Sequence, residues 1–285
     1  MNYLYTKKQY IPSDEFALKV TNRGFHYGDG FFESIRVVNG KPCFFGSHFT
    51  RIMESMKALK MHASVDFDER VLSKEVQRLL EKNEIREGGR IRITFTRNAN
   101  GTYLPDNNEA EYVIEAYPLE HNMFFLNQQG KNIDIFPDMK KQINSLSYYK
   151  TLNCQLYVMA SIYGKQNGLD DCLIQNYKLG IIESTSSNLF IVSNGVLYTP
   201  GLEDGCIGGI MRMQIINLAL ENQIKVYECG LNPQNLLAAD EIFLSNAIQG
   251  VQWVGSYRTK RYFNEMSRRM IALLNDQVRV SRAVS

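Results

Sequence analysis

The sequence predicts a mixed α/β (α+β) fold built from two domains, and three observations lead to this prediction. Apolar and polar residues alternate in short segments, as at residues 90–96, which is the pattern of a half-buried β-strand. Other segments repeat apolar residues every three or four positions, as at residues 49–59, which is the pattern of an amphipathic helix. Asn-Gly dipeptides at residues 39–40 and 194–195 are strong signals for tight hairpin turns.

The domain boundary is predicted within residues 118–131, where neither periodicity is visible. A chain of 285 residues is long enough for two modest domains that each bury a core. We therefore expect an N-terminal α/β domain at residues 1–120 and a C-terminal α/β domain at residues 121–285, which carries Lys150.

The N-terminal elements follow from local signals. Three glycines within seven positions at residues 24–30 predict a loop that can approach a ligand closely. Around the first Asn-Gly turn, residues 32–38 and 42–45 are expected to pair as strands, and a helix is expected from near Ser47. The remaining predictions are a helix at residues 71–80, a strand at 90–96, a turn at 98–101 and a returning strand at 112–116.

The C-terminal elements begin with a helix that follows Lys150 and ends by Gly168, which puts this lysine at a predicted strand-to-helix junction. A second glycine-rich turn at residues 206–209 is expected to lead into a helix. The remaining predictions are strands at residues 171–175, 180–183, 189–192, 196–198 and 240–247, a helix from Asn232-Pro233 and a final helix at residues 263–273.

Composition excludes several functional classes. The formal net charge is +2 and no basic run is dense, so we expect neither a nucleic-acid partner nor a membrane partner, and a small molecule is the default. No apolar run is long enough for a membrane span and the amino terminus does not resemble a secretory signal, so a cytoplasmic protein is expected. The five cysteines are widely spaced and form no C-x-x-C pair, which favours reduced thiols and predicts no metal site.

Three positions are chemical candidates in their own right. Lys150 lies among aromatic and hydroxyl residues, so its amine could attack a carbonyl, or its stem could simply pack along an apolar surface. Arg51 near a helix start could bind a phosphate or remain solvated. The glycines before the helix at Ile210 could leave backbone N–H groups for an anion, or could only ease the helix start.

Six short motifs follow one another along the chain in the order that one enzyme family shows. They are Arg23-Gly24-Phe25 through Glu33 and Arg36, His48-x-x-Arg51, Lys150, Glu183 through Asn188-Leu189-Phe190, Gly209-Ile210-Met211-Arg212, and Glu241 to Ala247. In this order the chain resembles the class IV aminotransferases, the fold-type IV pyridoxal-phosphate family. That family includes branched-chain aminotransferases, D-amino-acid aminotransferases and 4-amino-4-deoxychorismate lyases. The resemblance extends from about Asn22 to Val254.

The resemblance implies pyridoxal 5'-phosphate as the cofactor. Lys150 would bind the cofactor aldehyde covalently and carry the proton between the substrate Cα and the cofactor C4′. Glu183 would face the pyridine nitrogen and favour its protonated form. The residues implied in holding the phosphate and the rest of the cofactor are Arg51, Asn188, Gly209, Ile210, Met211 and Ser245.

The resemblance also implies a substrate site and an assembly. Arg97 would bind the substrate carboxylate, and Tyr27 and Phe32 would line the pocket. The implied substrate-binding set is completed by Arg36, Asn153 and Ala247. The fold would be two α/β domains with the active site between them, in a homodimer.

The motifs leave the reaction open between branches of the family. Residues 150–153 and 209–212 look like the lyase branch, whereas residues 97–103 lack the further arginine common in lyases. We expect an enzyme that transfers an amino group between a branched-chain-like amino acid and a 2-oxo acid. The alternatives are a 4-amino-4-deoxychorismate lyase, which releases pyruvate and 4-aminobenzoate, and a non-catalytic pyridoxal-phosphate-binding protein.

Overall fold

The structure of the chain is a computed structural model that describes residues 2–280, with the side chain of Val280 excepted. The described residues divide into two compact units. The first unit comprises residues 2–123 and 149–153, and the second comprises residues 124–148 and 154–280.

The first unit is built on a six-stranded antiparallel sheet with strand order β2-β1-β6-β5-β3-β4. Its strands are Tyr3–Thr6 (β1), Gln9–Pro12 (β2), Gly30–Val38 (β3), Lys41–Pro42 (β4), Gly89–Arg97 (β5) and Ala110–Pro118 (β6). Its helices are Arg23–Tyr27 (α1), Phe45–Ala58 (α2) and Glu69–Lys82 (α3). A short 3₁₀ helix spans Ser13–Glu15.

The core of the first unit forms because β5 alternates strictly between buried and half-buried residues. Its residues Ile91, Ile93 and Phe95 are fully buried on one face, which is the consequence of the period of two in a strand. Phe95 stacks on Phe31 of the neighbouring strand β3, with 4.7 Å between ring centroids. The buried face of α3, which includes Leu79, joins the same cluster.

The second unit is built on a nine-stranded mixed sheet with strand order β12-β11-β10-β13-β14-β7-β8-β9, in which β15 pairs with β14. Its strands are Lys131–Ile135 (β7), Asp171–Gln175 (β8), Ile181–Ser184 (β9), Asn188–Ser193 (β10), Val196–Thr199 (β11), Val226–Glu228 (β12), Glu241–Asn246 (β13), Gly250–Tyr257 (β14) and Lys260–Arg261 (β15). Its helices are Gln155–Gln166 (α4), Ile210–Glu221 (α5), Pro233–Ala238 (α6) and Glu265–Val280 (α7), with a 3₁₀ turn at Leu202–Asp204.

Four strands of the second sheet, β8, β9, β10 and β13, are buried along all or nearly all of their length. All residues of β8 and β9 are buried, and so are the first five of β10 and of β13. Strands that are covered on both faces have apolar runs without alternation, as in Leu189 to Val192. Phe190 and Phe243 stack across β10 and β13 with 4.9 Å between ring centroids.

Two predicted elements differ in the structure. The strand predicted at residues 42–45 is only the two-residue β4, because Phe44 adopts a left-handed backbone (φ 54°) and α2 begins at Phe45. The loop predicted at residues 22–30 contains the short helix α1. The Asn22 side chain caps this helix, and Gly28, at φ 63°, ends it in the left-handed conformation that glycine tolerates.

The segment around Lys150 also differs from its prediction. It is not a strand-to-helix junction within the C-terminal domain, since residues 144–148 form a turn and residues 149–153 belong to the first unit. The reason is the backbone hydrogen bonding of β3. Phe32 N donates to Lys150 O at 2.9 Å and Leu152 N donates to Gly30 O at 3.0 Å, along a part of β3 that β4 does not cover.

No helix within residues 2–280 is long and apolar enough to cross a membrane.

Candidate active site

Lys150 lies beside β3 with its side chain half-buried. Its Nζ lies 4.6 Å from the centroid of the Phe32 ring, and the Arg92 guanidinium lies 3.9 Å from the same centroid. Thr151 forms an isolated bridge with Phe31, which adds to the backbone hydrogen bonds that fix the segment. The backbone around Lys150 is therefore fixed against β3, and its amine lies beside the Phe32 ring, which the Arg92 guanidinium also approaches.

Glu33, on β3, is the centre of a buried charge cluster with two residues of α2. Arg51 donates to both carboxylate oxygens of Glu33, from Nε to Oε1 and from Nη2 to Oε2, each at 2.7 Å. His48 Nδ1 lies 2.7 Å from Oε2, and the side chains of His48 and Glu33 are each 1% exposed. His48 and Arg51 reach the same carboxylate because residues three apart lie on neighbouring faces of one helix turn.

The electrostatics of this cluster fix its protonation. Burial acts to raise the pKa of Glu33, but Arg51 and His48 outweigh burial and lower it to about 2. Burial lowers the pKa of His48 below its ordinary value, against the opposing effect of Glu33. At neutral pH the carboxylate is therefore ionised and accepts the Nδ1–H of a neutral imidazole.

Arg51, the predicted phosphate ligand, is therefore held by a forked pair with Glu33. The fork uses Nε and Nη2 of the guanidinium. A guanidinium that is oriented in this way is rigid, which suits a role in binding a planar or tetrahedral anion.

Arg97 does not fit its predicted role, because the expectation required a guanidinium without a protein carboxylate. Nε and Nη2 donate to Asp29 at 2.9 and 3.2 Å. Nη1 donates to Lys60 O at 3.3 Å and to Asn108 Oδ1 at 2.6 Å, and Nη2 donates to Leu59 O at 2.8 Å. A guanidinium has five N–H groups, and these contacts use all five. Arg97 is thus fully hydrogen-bonded by protein groups, which favours a structural role.

Asp29 connects Arg97 to the glycine-rich segment at the start of the resemblance. Arg23 donates from Nε to Asp29 Oδ2 at 2.8 Å, and from Nη1 to the carbonyl oxygens of Gly101 and Thr102 at 3.0 and 2.6 Å. Burial acts to raise the pKa of Asp29, but the hydrogen bonds from Arg97 and Arg23 outweigh it and lower the pKa below its ordinary value. The carboxylate thus stays ionised and joins two arginines with the loop at residues 101–102.

The other predicted substrate residues of the first unit have different surroundings. Arg36 is buried, and its Nη2 donates to the carbonyl oxygens of His121 and Met123. Tyr27 is 36% exposed. Asn153 is exposed, and its Oδ1 lies close to Gly28. The first unit therefore carries Lys150, Arg51, Tyr27, Phe32, Arg36, Arg97 and Asn153.

The second unit carries Glu183, Asn188, Gly209, Ile210, Met211, Ser245 and Ala247. Three of these residues lie in register on neighbouring strands, because Glu183 of β9 pairs with Asn188 of β10, and Asn188 pairs with Ser245 of β13. Asn188 Nδ2 donates to Ser245 O at 2.8 Å and lies 3.3 Å from its Oγ. Ala247 lies one residue beyond the end of β13, in a turn.

Glu183 is 3% exposed and accepts three hydrogen bonds from within the second unit. Lys141 Nζ and the Tyr157 hydroxyl each donate to Oε1 at 2.7 Å, and Ile207 N donates to Oε2 at 2.8 Å. A carboxylate accepts about four hydrogen bonds, so Oε2 keeps the capacity for another donor. A protonated ring nitrogen is a donor of the required kind.

The start of α5 has the features of an anion site. Its N-cap, Gly209, has no side chain to accept from the first-turn N–H groups, and a Cβ at this position would collide with the amide of Asn188. The first N–H groups of a helix have no partner inside the helix, and the helix dipole favours an anion there. Ile210 and Met211, the first two residues of α5, are both buried.

Sequence reasoning missed Asp29, Lys141 and Tyr157. Each acts through a partner that is distant in the chain: Asp29 and Arg97 are 68 residues apart, and Lys141 and Glu183 are 42 apart. No local spacing or motif signals a pair of this kind. Within residues 2–280 the side chains of His, Cys, Asp and Glu form no group that could hold a metal ion.

Replacing Arg97 by lysine tests its structural role. Arg97→Lys keeps the charge but loses most of the five hydrogen bonds, so we expect the free energy of unfolding to fall by about 2 kcal/mol. The Michaelis constant for an amino-acid substrate should change less than about threefold. Denaturant unfolding and steady-state kinetics measure the two effects, with Arg70→Lys on the exposed face of α3 as the control. A tenfold rise in the Michaelis constant with unchanged stability would restore the substrate role.

Comparison with known proteins places the chain in a family. Residues 30–257 match the family model described as Amino-transferase class IV. The chain is 29% identical over 245 residues to a protein of Methanocaldococcus jannaschii provisionally named a branched-chain-amino-acid aminotransferase, covering 85% of this chain and 83% of that protein. It is 27% identical over 244 residues to the D-alanine aminotransferase of Listeria innocua, covering 83% of this chain and 81% of that protein.

Solved structures share the fold. The branched-chain aminotransferase of Thermoproteus uzoniensis with norvaline superposes with a TM-score of 0.87 at 22% identity, over 95% of this chain and 92% of that one. The aminotransferase of Brucella abortus, bound to the cofactor PLP, superposes with a TM-score of 0.85 at 19% identity, over 95% of this chain and 97% of that one. A protein of Legionella pneumophila provisionally named 4-amino-4-deoxychorismate lyase gives 0.82 at 23% identity, over 93% and 96%.

The family model covers most of the chain, and its match begins at the first residue of β3 and ends at the last residue of β14. These findings confirm the family that the motifs predicted and the mixed α/β fold. The chain belongs to the class IV aminotransferases and is a pyridoxal-phosphate-dependent transferase.

Proposed function

We propose that this enzyme transfers an amino group between a branched-chain-like amino acid and a 2-oxo acid, with pyridoxal phosphate bound through Lys150. The observation that carries the choice of substrate is the Phe32 ring, whose centroid lies 4.6 Å from Lys150 Nζ. The Arg92 guanidinium also approaches this ring, with 3.9 Å to its centroid, and the carbon surface that the two cations leave would contact an aliphatic side chain. The M. jannaschii relative, named for branched-chain amino acids, supports the same substrate class.

The residues present fit the cofactor. The proposed phosphate ligands are the N–H groups of Ile210 and Met211 at the uncapped start of α5, the Ser245 hydroxyl and Arg51. Gly209 keeps this start clear of a side chain, and Asn188 is hydrogen-bonded to Ser245. When bound, pyridoxal phosphate supplies an aldehyde that takes up the substrate amine and a ring that accepts electrons from the Cα–H bond.

The chain supplies the proton transfers. The Lys150 amine would take the proton from the substrate Cα and return it at the cofactor C4′. Glu183, whose Oε2 accepts one hydrogen bond from Ile207 N, would hold a proton at the ring nitrogen of the cofactor. Tyr27, Phe32, Arg36, Asn153 and Ala247 remain the proposed lining of the substrate pocket, while Arg97 leaves this set.

The proposal includes a homodimer in the cytoplasm. What supports the cytoplasm is that the five cysteines, all within residues 2–280, form no disulfide, and three of them are buried. Light scattering of the purified protein would test the dimer, and a mass near that of one 32.8 kDa chain would contradict it.

Lyase activity is the second candidate function, because residues 150–153 and 209–212 resemble the 4-amino-4-deoxychorismate lyase branch of the family. In this reading the same lysine and carboxylate would act on 4-amino-4-deoxychorismate, and the products would be pyruvate and 4-aminobenzoate. The similarity to the Legionella structure concerns the fold and does not favour either reaction.

A substrate panel distinguishes the readings. We expect L-leucine, L-isoleucine and L-valine to be turned over with 2-oxoglutarate at a kcat/KM at least tenfold above that for D-alanine, since the pocket beside Lys150 is expected to be apolar. Formation of the keto acid and of glutamate measures the reaction. Release of 4-aminobenzoate from 4-amino-4-deoxychorismate, without transamination of any amino acid, would establish the lyase instead.

Borohydride reduction tests the assignment of Lys150. The purified holoenzyme should be yellow, and reduction followed by peptide mapping should place the label on Lys150. Lys150→Ala should retain cofactor affinity through the phosphate ligands but lose kcat by a factor of about a thousand or more, since the base is gone. The adjacent-loop variant Lys140→Ala is the control. A label on Lys141 or Lys165 would show that the assignment is wrong.

Replacing Glu183 by glutamine tests the contact with the ring nitrogen. Glu183→Gln removes the charge that favours the protonated ring, and one unit in the pKa of that nitrogen corresponds to about 1.4 kcal/mol, or tenfold. We therefore expect kcat to fall at least about tenfold, while the dissociation constant of pyridoxal phosphate changes by less. An unchanged kcat with weaker cofactor binding would contradict this role.

A further inference from the structure

Glu183 forms a buried ion pair with Lys141, a lysine outside every motif of the family resemblance. Lys141 Nζ lies 2.7 Å from Glu183 Oε1, and the two side chains are 13% and 4% exposed. Two charges taken out of water in this way lose much hydration free energy, which only their mutual attraction and further hydrogen bonds offset. Such a pair needs a reason beyond stability, since apolar residues would fill the same space at less cost.

Lys141 is held rigidly, so its ammonium has a fixed position. Its backbone N–H donates to Gln175 O at 2.9 Å, and its carbonyl accepts from Tyr177 N at 3.1 Å, which attaches both sides of the residue to the end of β8. The ammonium also donates to Ser147 O at 3.0 Å. The pair is therefore built into the sheet and does not depend on a mobile side chain.

Lys141 also joins Glu183 to the turn that leads into Lys150. The turn is closed by Ser147, whose hydroxyl accepts from Asn144 N and donates to Gln142 O, each at 2.9 Å. Ser147 is buried and lies three residues before Lys150 in the chain. One ammonium thus contacts both the carboxylate and the carbonyl that ends this closed turn.

The other groups that face Glu183 carry no charge at neutral pH. The Tyr157 hydroxyl of α4 donates to Oε1, and burial together with Glu183 raises the pKa of Tyr157 above its ordinary value. Cys206, before α5, also faces the carboxylate, and burial raises its pKa to about 12. Ile207 contributes a backbone N–H. Lys141 is therefore the cation that balances Glu183.

We propose that Lys141 is a positioning residue for amino transfer: its ammonium supplies the balancing charge and the orientation with which the Glu183 carboxylate would hold a proton at the ring nitrogen of pyridoxal phosphate. This inference rests on the role proposed above for Glu183. Without the ammonium, burial favours the protonated carboxylic acid, which can no longer stabilise a positive ring. Tyr157 orients the same oxygen but cannot replace a charge.

The test compares variants of Lys141 in the holoenzyme over a range of pH. Lys141→Met removes the charge and keeps most of the volume, so the acid limb of the kcat profile should move to higher pH by about one unit or more. The absorbance titration of the bound cofactor should move in the same direction. Lys141→Arg keeps the charge and should stay within about 0.3 unit of the wild type on both measurements.

Lys140→Met is the matched control, because Lys140 donates only to the backbone oxygens of Phe136 and Pro137 among its described hydrogen bonds. The Lys140→Met variant loses one positive charge at the neighbouring residue. We expect its pH profile of kcat and its absorbance titration to match those of the wild type. If Lys141→Met does not fold, Lys141→Gln takes its place, and failure of both neutral variants to fold would show that the pair serves the fold alone.

Two further outcomes would overturn the proposal. A purely structural role predicts that Lys141→Met lowers kcat by the same factor at every pH, without a shift in the absorbance titration. Equal defects in the methionine and arginine variants would show that the charge is not what matters. Borohydride labelling and turnover of the wild type separate this failure from failure of the proposed function: if the wild type is labelled on Lys150 and active, only the role of Lys141 is wrong.

Discussion

Two backbone hydrogen bonds attach residues 149–153 to β3, and the chemistry of the first unit depends on them. They run from Phe32 N to Lys150 O and from Leu152 N to Gly30 O. The same strand carries Glu33, whose carboxylate orients Arg51. A single strand therefore fixes the lysine, the aromatic surface beside it and the charge cluster, and a change in the register of β3 would displace all three together.

The buried arginines show how similar side chains come to have different roles. Arg97 pairs with Asp29, which lies in the glycine-rich segment. Arg51 pairs with Glu33, which lies on the strand that follows this segment. Arg97 uses its remaining N–H groups on carbonyl and amide oxygens, so its environment is complete within the protein. Arg51 instead gives Nε and Nη2 to the two oxygens of one carboxylate, that of Glu33. The difference lies in the surrounding acceptors and not in the arginines.

Much of the fold follows from local sequence. The alternation of β5, the helical stripe of α3 and the Asn-Gly turn after β3 all form where their patterns predict, because each pattern is a direct consequence of strand or helix geometry. The weakest element, β7, was not predicted, since Lys131–Ile135 has one buried residue and gains its place only by pairing with β8 and β14. Propensity is overridden there by tertiary pairing.

The candidate site was predictable where a residue lies within a motif, as for Lys150 and Glu183, and not where its partner comes from elsewhere in the chain. The sequence gives no sign that Arg97 meets Asp29, or that Lys141 meets Glu183, because sheet topology brings these residues together. For Arg97 the premise was that a strand-end arginine near a turn has no protein carboxylate, and the structure shows that Asp29 provides one.

The first unit is completed by residues 149–153, which lie 26 residues beyond the end of its main stretch at Met123. Residues 2–123 alone would leave Phe32 N and Gly30 O without the backbone partners that Lys150 and Leu152 provide, on an edge where apolar Phe31 is fully buried. An unpaired strand edge exposes backbone N–H and C=O groups, which tend to pair with other chains and promote aggregation. The N-terminal stretch therefore leaves this edge of β3 open until residues 149–153 are present. On the ribosome, the chain must reach residue 153 before the edge of β3 can close.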